Sequence, residues 1–164
     1  YDFSQIGIPY DNVDEEFLIK PRKWDTKGLG TFMNVMGPVS SVIDVLAFLS
    51  FWFILGYNGT LSESYFQTAW FIECLISETL IIHFVRTSKI PFVQSRANIV
   101  LTSLTMITII GTILAPILLH NINSFHFEIM PPLYYMIVIG LTILYVILVQ
   151  IVKKRYIKKF GSWL

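Results

Sequence analysis

Five ionisable side chains stand where ionisable groups are costly. Asp44, Glu73, Glu78 and His83 lie inside long apolar stretches, and Asp2 stands in a short, weakly apolar strip, Tyr1 to Pro9. A carboxylate at membrane depth must find a cation, a hydrogen-bond donor or water, so each is a functional candidate by default. Carboxylate oxygens suit a hard divalent cation. Asp44 follows Gly37-Pro38-Val39-Ser40-Ser41, where a helix would kink, because proline removes a backbone hydrogen bond. It reads as a cation ligand or relay, or as an interhelical hydrogen bond that fixes packing with help from Ser40 and Ser41; the second reading is preferred. Five positions at about 100° each set Glu73 and Glu78 roughly 140° apart, so they do not share a helix face. Glu73 is nearer the outer side, within reach of an aqueous vestibule. Glu78, beside Ser77 and Thr79, is the main candidate for contact with a cation pathway, against a structural carboxyl held neutral by hydrogen bonds. His83 has no second nitrogen or sulfur at metal spacing and reads as a packing residue.

The elements that would position these groups follow from composition. Of 164 residues 54% are hydrophobic and only 14% charged, with mean hydropathy +0.63, which points to the membrane class. The net charge of +1 gives no case for nucleic-acid binding, and one cysteine, Cys74, makes neither an intrachain disulfide nor a cysteine metal cluster. Four stretches are long enough to cross a bilayer core of roughly 30 Å: about 32–57, 65–85, 97–119 and 133–152. They are continuous rather than alternating, which favours helices over barrel strands. Asn58-Gly59 marks a tight turn, Pro91 a break, and Pro131-Pro132 a helix start. Gly111-xxx-Ala115 and the threonines Thr102, Thr105, Thr108 and Thr112 suit close helix packing. All 12 Lys and Arg fall before the first span, between the second and third, or after the fourth. The positive-inside rule then puts both termini in the cytoplasm. The expected fold is an all-α membrane protein, a four-helix transmembrane bundle. Residues 1–31 are the end of a preceding membrane helix plus a cytoplasmic loop, 32–152 the bundle, and 153–164 a basic cytoplasmic tail that anchors topology and would sit well against anionic lipid.

The charge-dense strip Ile8-Pro9-Tyr10-Asp11-Asn12-Val13-Asp14-Glu15-Glu16, followed by Lys20-Pro21-Arg22-Lys23-Trp24, resembles the loop after the sixth membrane helix of the bacterial magnesium-transporting group of P-type ATPases, with Tyr1-Asp2 matching the end of that helix. The likeness continues through Phe32 to Ser41 with Asp44, through His83 to Ala97 with its Ile90-Pro91-Phe92-Val93-Gln94-Ser95 core, and into Arg155 to Gly161. It implies that the spans are helices seven to ten of a pump that hydrolyses ATP through an aspartyl-phosphate and moves Mg²⁺ into the cytoplasm, in a bacterial plasma membrane. The family's phosphorylation sequence is permuted here to Asp25-Thr26-Lys27-Gly28 and reads as coincidence, so no catalytic residue is expected in this segment. The resemblance carries Asp2 over as a ligand of the transported ion. Glu78 falls where calcium pumps place a helix-eight glutamate at a membrane ion site, whereas magnesium pumps often have a neutral amide there. The implied partners are the rest of the same polypeptide, membrane helices one to six with the cytoplasmic domains, and the bilayer. Two other readings stand: the same family carrying Ca²⁺ or another divalent cation, and a free-standing four-span scaffold or subunit without catalysis. Acids Asp11, Asp14, Glu15 and Glu16 could pair with Lys20, Arg22 and Lys23 as salt bridges within the loop, or the loop could be solvated.

Overall fold

The computed structural model describes residues 1–18, 26–122, 124–161 and 163, with the side chains of Glu16, Phe17 and Lys27 left out. A one-turn helix α1 (Asp2–Gln5), a 3₁₀ turn (Ile8–Tyr10) and a short α2 (Glu15–Leu18) precede four long helices: α3 (Thr26–Leu49), α4 (Glu63–Val85), α5 (Ile99–Leu119) and α6 (Pro132–Phe160). All four are long and apolar enough to cross a membrane. α3 packs on α6, α4 on both α6 and α5, and α1 lies against α5.

Local chemistry sets the ends. α3 continues through Pro38, with Ser41 Oγ donating to Gly37 O at 3.3 Å beside the lost backbone bond. Its last turn widens into a π-turn over Ser50–Ile54, where Ser50 Oγ donates to Leu46 O at 2.7 Å. The chain then reverses at Gly56, whose φ of 70° lies in the region that only glycine enters without cost. Gly59 lies in the same connection, where its carbonyl accepts from Ser62 N at 2.9 Å. Asn98 caps α5 by accepting from Val100 N at 3.0 Å. Pro132 opens α6 as expected, and α6 runs on through the basic residues Lys153 to Lys159, ending before Gly161.

The buried residues form two apolar clusters at different heights. One holds Phe32, Met36, Ile43, Phe84, Tyr145, Val149, Tyr156 and Trp163; the other holds Ala47, Phe51, Ala69, Ile72, Met130, Tyr134, Val138 and Leu141. Along α3 and α4 the switch from one cluster to the other falls at the polar residues: Asp44 follows Ile43, and Glu73 to Glu78 lie between Ile72 and Phe84. A polar layer thus divides the core. Ser40 Oγ and Tyr145 OH, 2.7 Å apart, tie α3 to α6 within it. Gly111 does not serve as a close-packing point within these helices: it is exposed, and an added Cβ there would meet nothing within 4 Å.

Candidate functional site

The polar layer opens into a cleft of about 150 Å³ between α3, α4 and α6, lined by Asp44 and Glu78 with Ser40, Cys74, Ser77 and Tyr145 among others. Two of the sequence candidates are therefore brought to one place, by different helices. Glu78 is exposed and Asp44 half-buried. Glu73, on the other side of α4, is 3% exposed, and its Oε2 has no hydrogen-bond partner among the described residues. The vestibule expected for Glu73 is replaced by burial: neighbouring Ala69 and Ile72 of α4 are buried in the second apolar cluster. His83 is buried as a packing residue, with Nε2 3.0 Å from Thr105 Oγ1 and its ring 4.9 Å from that of Phe92. Among the described residues no group of three or more His, Cys, Asp or Glu side chains stands where it could hold a metal ion.

Asp2 is exposed at the start of α1 and does not line the cleft that contains Glu78. What fixes its neighbourhood is downstream. Gly7 is buried against α5 so closely that an added Cβ would lie 2.8 Å from Leu101 Cα. The acidic strip then closes onto the α4–α5 connection. Asp11 forms an ion pair with Arg86 Nε, the two side chains 12% and 9% exposed, and its Oδ1 accepts from Asn98 N at 2.8 Å. Arg86 also donates to Asn12 O at 2.9 Å, to Ser95 Oγ at 3.0 Å and to Arg96 O at 3.3 Å. Asp14 accepts from Thr87 Oγ1 at 2.5 Å and from Ser95 Oγ at 2.7 Å. Burial works against the charge of Asp14, but the bonds from Thr87 and Ser95 and the charges of Lys89 and Arg86 outweigh it, holding the carboxyl below its ordinary value. Asp11 and Asp14 thus pair across the fold; Lys20, Arg22 and Lys23 lie outside the described residues.

A third element joins the same end. Lys153, 1% exposed, donates from Nζ to Phe84 O at 2.6 Å, to Thr87 O at 2.9 Å and to Lys89 O at 3.3 Å. Trp163 Nε1 donates to Val85 O at 2.9 Å. The last carbonyls of a helix lack intrahelical donors and carry its negative pole, so a cation and an indole N–H are suitable caps for α4. Between these partners the connection makes a tight loop in which Phe92, at φ 64°, turns its ring onto His83 and Phe84. Phe92 N donates to Ser95 O at 3.0 Å and closes the loop.

Reasoning from sequence did not single out Arg86, Thr87, Ser95 or Lys153. Lys153 had a legible signal: it falls four positions after Val149 on the stripe Tyr134, Val138, Leu141, Tyr145, Val149, which α6 buries.

A family profile described as cation transporting ATPase, C-terminus, matches residues 1–155. The chain is 41% identical over 164 residues to a magnesium-transporting ATPase, P-type 1, of Salmonella typhimurium strain LT2, covering 99% of this chain and 18% of that protein. It is 37% identical over 162 residues to a protein of the same description from Escherichia coli strain K12, covering 98% of this chain and again 18% of the relative. The chain therefore spans less than a fifth of the length of these curated relatives.

Proposed function

Because the chain belongs to the family of the cation transporting ATPase C-terminus, we propose that it is the carboxy-terminal membrane portion of a P-type ATPase that moves Mg²⁺ into the cytoplasm at the expense of ATP. The observation that carries this reading is the near-complete match of the chain to magnesium-transporting relatives. It is supported by four membrane-length helices and by basic loops on one side only. On this reading nucleotide chemistry belongs to parts of the polypeptide outside these residues, and the bundle α3–α6 buttresses the helices that carry the ion. Mg²⁺ is the transported substrate. Asp2 supplies one carboxylate ligand to it, and Glu78, in the separate cleft between α3, α4 and α6, an oxygen contact on the cation pathway, the remaining ligands coming from helices outside this chain. A small, hard cation that favours octahedral oxygen ligands suits carboxylates of this kind.

The test uses the intact polypeptide. Asp2→Asn should abolish Mg²⁺-stimulated ATP turnover while the protein still accumulates in the membrane. Retained turnover would remove Asp2 from the ion's coordination, and turnover stimulated by Ca²⁺ but not Mg²⁺ would move the assignment to a different divalent cation. A native polypeptide no larger than 18.9 kDa would instead favour a free-standing four-span protein.

A further inference from the structure

We propose that Asp11 and Arg86 are positioning residues for the transported ion: with the contact of Gly7 on Leu101, their ion pair sets where the turn carrying Asp2 lies against α5. This rests on the reading of Asp2 as an ion ligand.

A helix of four residues cannot fix its own place. α1 has a single turn, closed by Ser4 N and Ser4 Oγ on Tyr1 O, and isolated turns of this length are unstable. Burial of apolar side chains does not hold it either. Phe3, Ile6, Ile8, Tyr10 and Val13, the large hydrophobics on either side of Gly7, are all exposed. Besides the buried Ser4 and the face that α1 lays on α5, two attachments hold the strip downstream of α1. The first is Gly7, where strip and α5 touch backbone to backbone. The second is Asp11, one carboxylate gripping both Arg86 and the amide of Asn98 just ahead of α5. The 3₁₀ turn Ile8–Tyr10 links these points rigidly, through Tyr10 N on Gly7 O at 3.1 Å and Asp11 N on Ile8 O at 3.0 Å.

Arg86 is committed to this task. Its guanidinium reaches Asp11, Asn12, Ser95 and Arg96, so the end of α4, the start of α5 and the strip share one anchor. A planar fork of donors can span these acceptors at once, which an ammonium could not. The pair is mostly withdrawn from water, so it holds more firmly than an exposed one. Loss of either attachment leaves the strip held by the other and by Ser4, and lets the turn that carries Asp2 shift on α5. Mg²⁺ tolerates little departure from ideal octahedral geometry, so a displaced carboxylate weakens binding of the ion.

The experiment compares Asp11→Asn, Arg86→Lys and Gly7→Ala with Asp2→Asn in the purified intact polypeptide, measuring ATP hydrolysis as free Mg²⁺ is varied at saturating MgATP. Gly7→Ala touches no charge and should act only by lifting the strip from Leu101. The expected result is a rise of about tenfold or more in the Mg²⁺ concentration giving half-maximal rate for Asp11→Asn and Gly7→Ala, with maximal rate changed by less than about twofold. Arg86→Lys, which keeps the charge and loses the fork, should fall between them and the unmodified protein. If Asp2→Asn abolishes turnover while Asp11→Asn and Gly7→Ala leave half-saturation within about twofold, the positioning proposal is overturned and the ligand reading stands. Retained Mg²⁺-dependent turnover in Asp2→Asn overturns the ligand reading itself. If Asp11→Asn and Gly7→Ala both lower maximal rate at unchanged half-saturation, or both fail to accumulate in the membrane, the pair serves the fold rather than the ion, and the proposal is overturned as well.

Discussion

Replacing Lys153 by methionine isolates the cap on α4. Methionine keeps an unbranched stem of similar length, so the apolar packing beside Trp163 and Val149 is retained and only the ammonium is removed. Phe84 O and Thr87 O then lose bonds of 2.6 and 2.9 Å, while Lys89 O loses a long contact of 3.3 Å. A hydrogen bond to a charged group contributes roughly 1.5–3 kcal/mol, and a buried acceptor left without a donor costs about 1–3 kcal/mol. Against this, the ammonium no longer has to be desolvated at a site that is 1% exposed, and replacing buried charge by apolar groups is neutral in some proteins when all partners go together. Here the partners stay, because they are backbone carbonyls at a helix end. A net loss of about 2–4 kcal/mol is expected. The measurement is equilibrium unfolding of the intact polypeptide in detergent, followed by tryptophan fluorescence. A Lys153→Met protein within about 0.5 kcal/mol of the unmodified one would refute the reasoning, since it would mean that water caps the carbonyls as well as the ammonium does.

Acidification should loosen the strip through Asp14. Its carboxyl is depressed in the folded protein, so its contribution is full above the ordinary aspartate value of about 3.9 and is lost as pH falls through the lower folded value. Asp14→Asn should flatten that acid limb in amide exchange of the Thr87 to Ser95 loop, and an unchanged limb would assign it to another group. Tyr145→Phe should cost about 0.5–1.5 kcal/mol by removing the 2.7 Å bond to Ser40, read from the same unfolding curves. Glu78→Gln should leave the Mg²⁺ half-saturation of the intact polypeptide within about twofold, because the amide keeps an oxygen at the cleft; a collapse in affinity with normal folding would contradict this.

The long helices were legible because apolar run length, flanking charge and proline position are local properties of the chain. Pro132 at a helix start and Asn98 just ahead of α5 need no tertiary information. The placement of Glu73 was not legible in this way. Its angular separation from Glu78 is fixed by helix geometry, but which of the two faces the core depends on where α6 lies, and α6 is some sixty residues further along the chain. The contacts of the acidic strip were hidden for a similar reason. Asp11 and Arg86 are separated by 75 positions, and an acidic strip followed at once by basic residues suggests local pairing, whereas Asp11 and Asp14 find partners across the fold. The basic residues after the fourth span read as one uniform tail, yet Lys153 belongs to the buried stripe of α6 and Lys158 and Lys159 to its exposed last turn.

Phe92 bears on the order of assembly. A bulky residue in the left-handed region is held there at a cost of roughly 1–3 kcal/mol, and such a conformation persists only where its surroundings leave no alternative. Its surroundings are the His83 and Phe84 rings and the carbonyl of Ser95, and Ser95 in turn is held by Asp14 and Arg86. All of these holds but one lie within the α4–α5 hairpin itself, and Asp14 alone reaches Ser95 from the strip. The hairpin therefore carries most of what shapes its own connection, and the return of the strip adds the last hold, on Ser95 and Thr87.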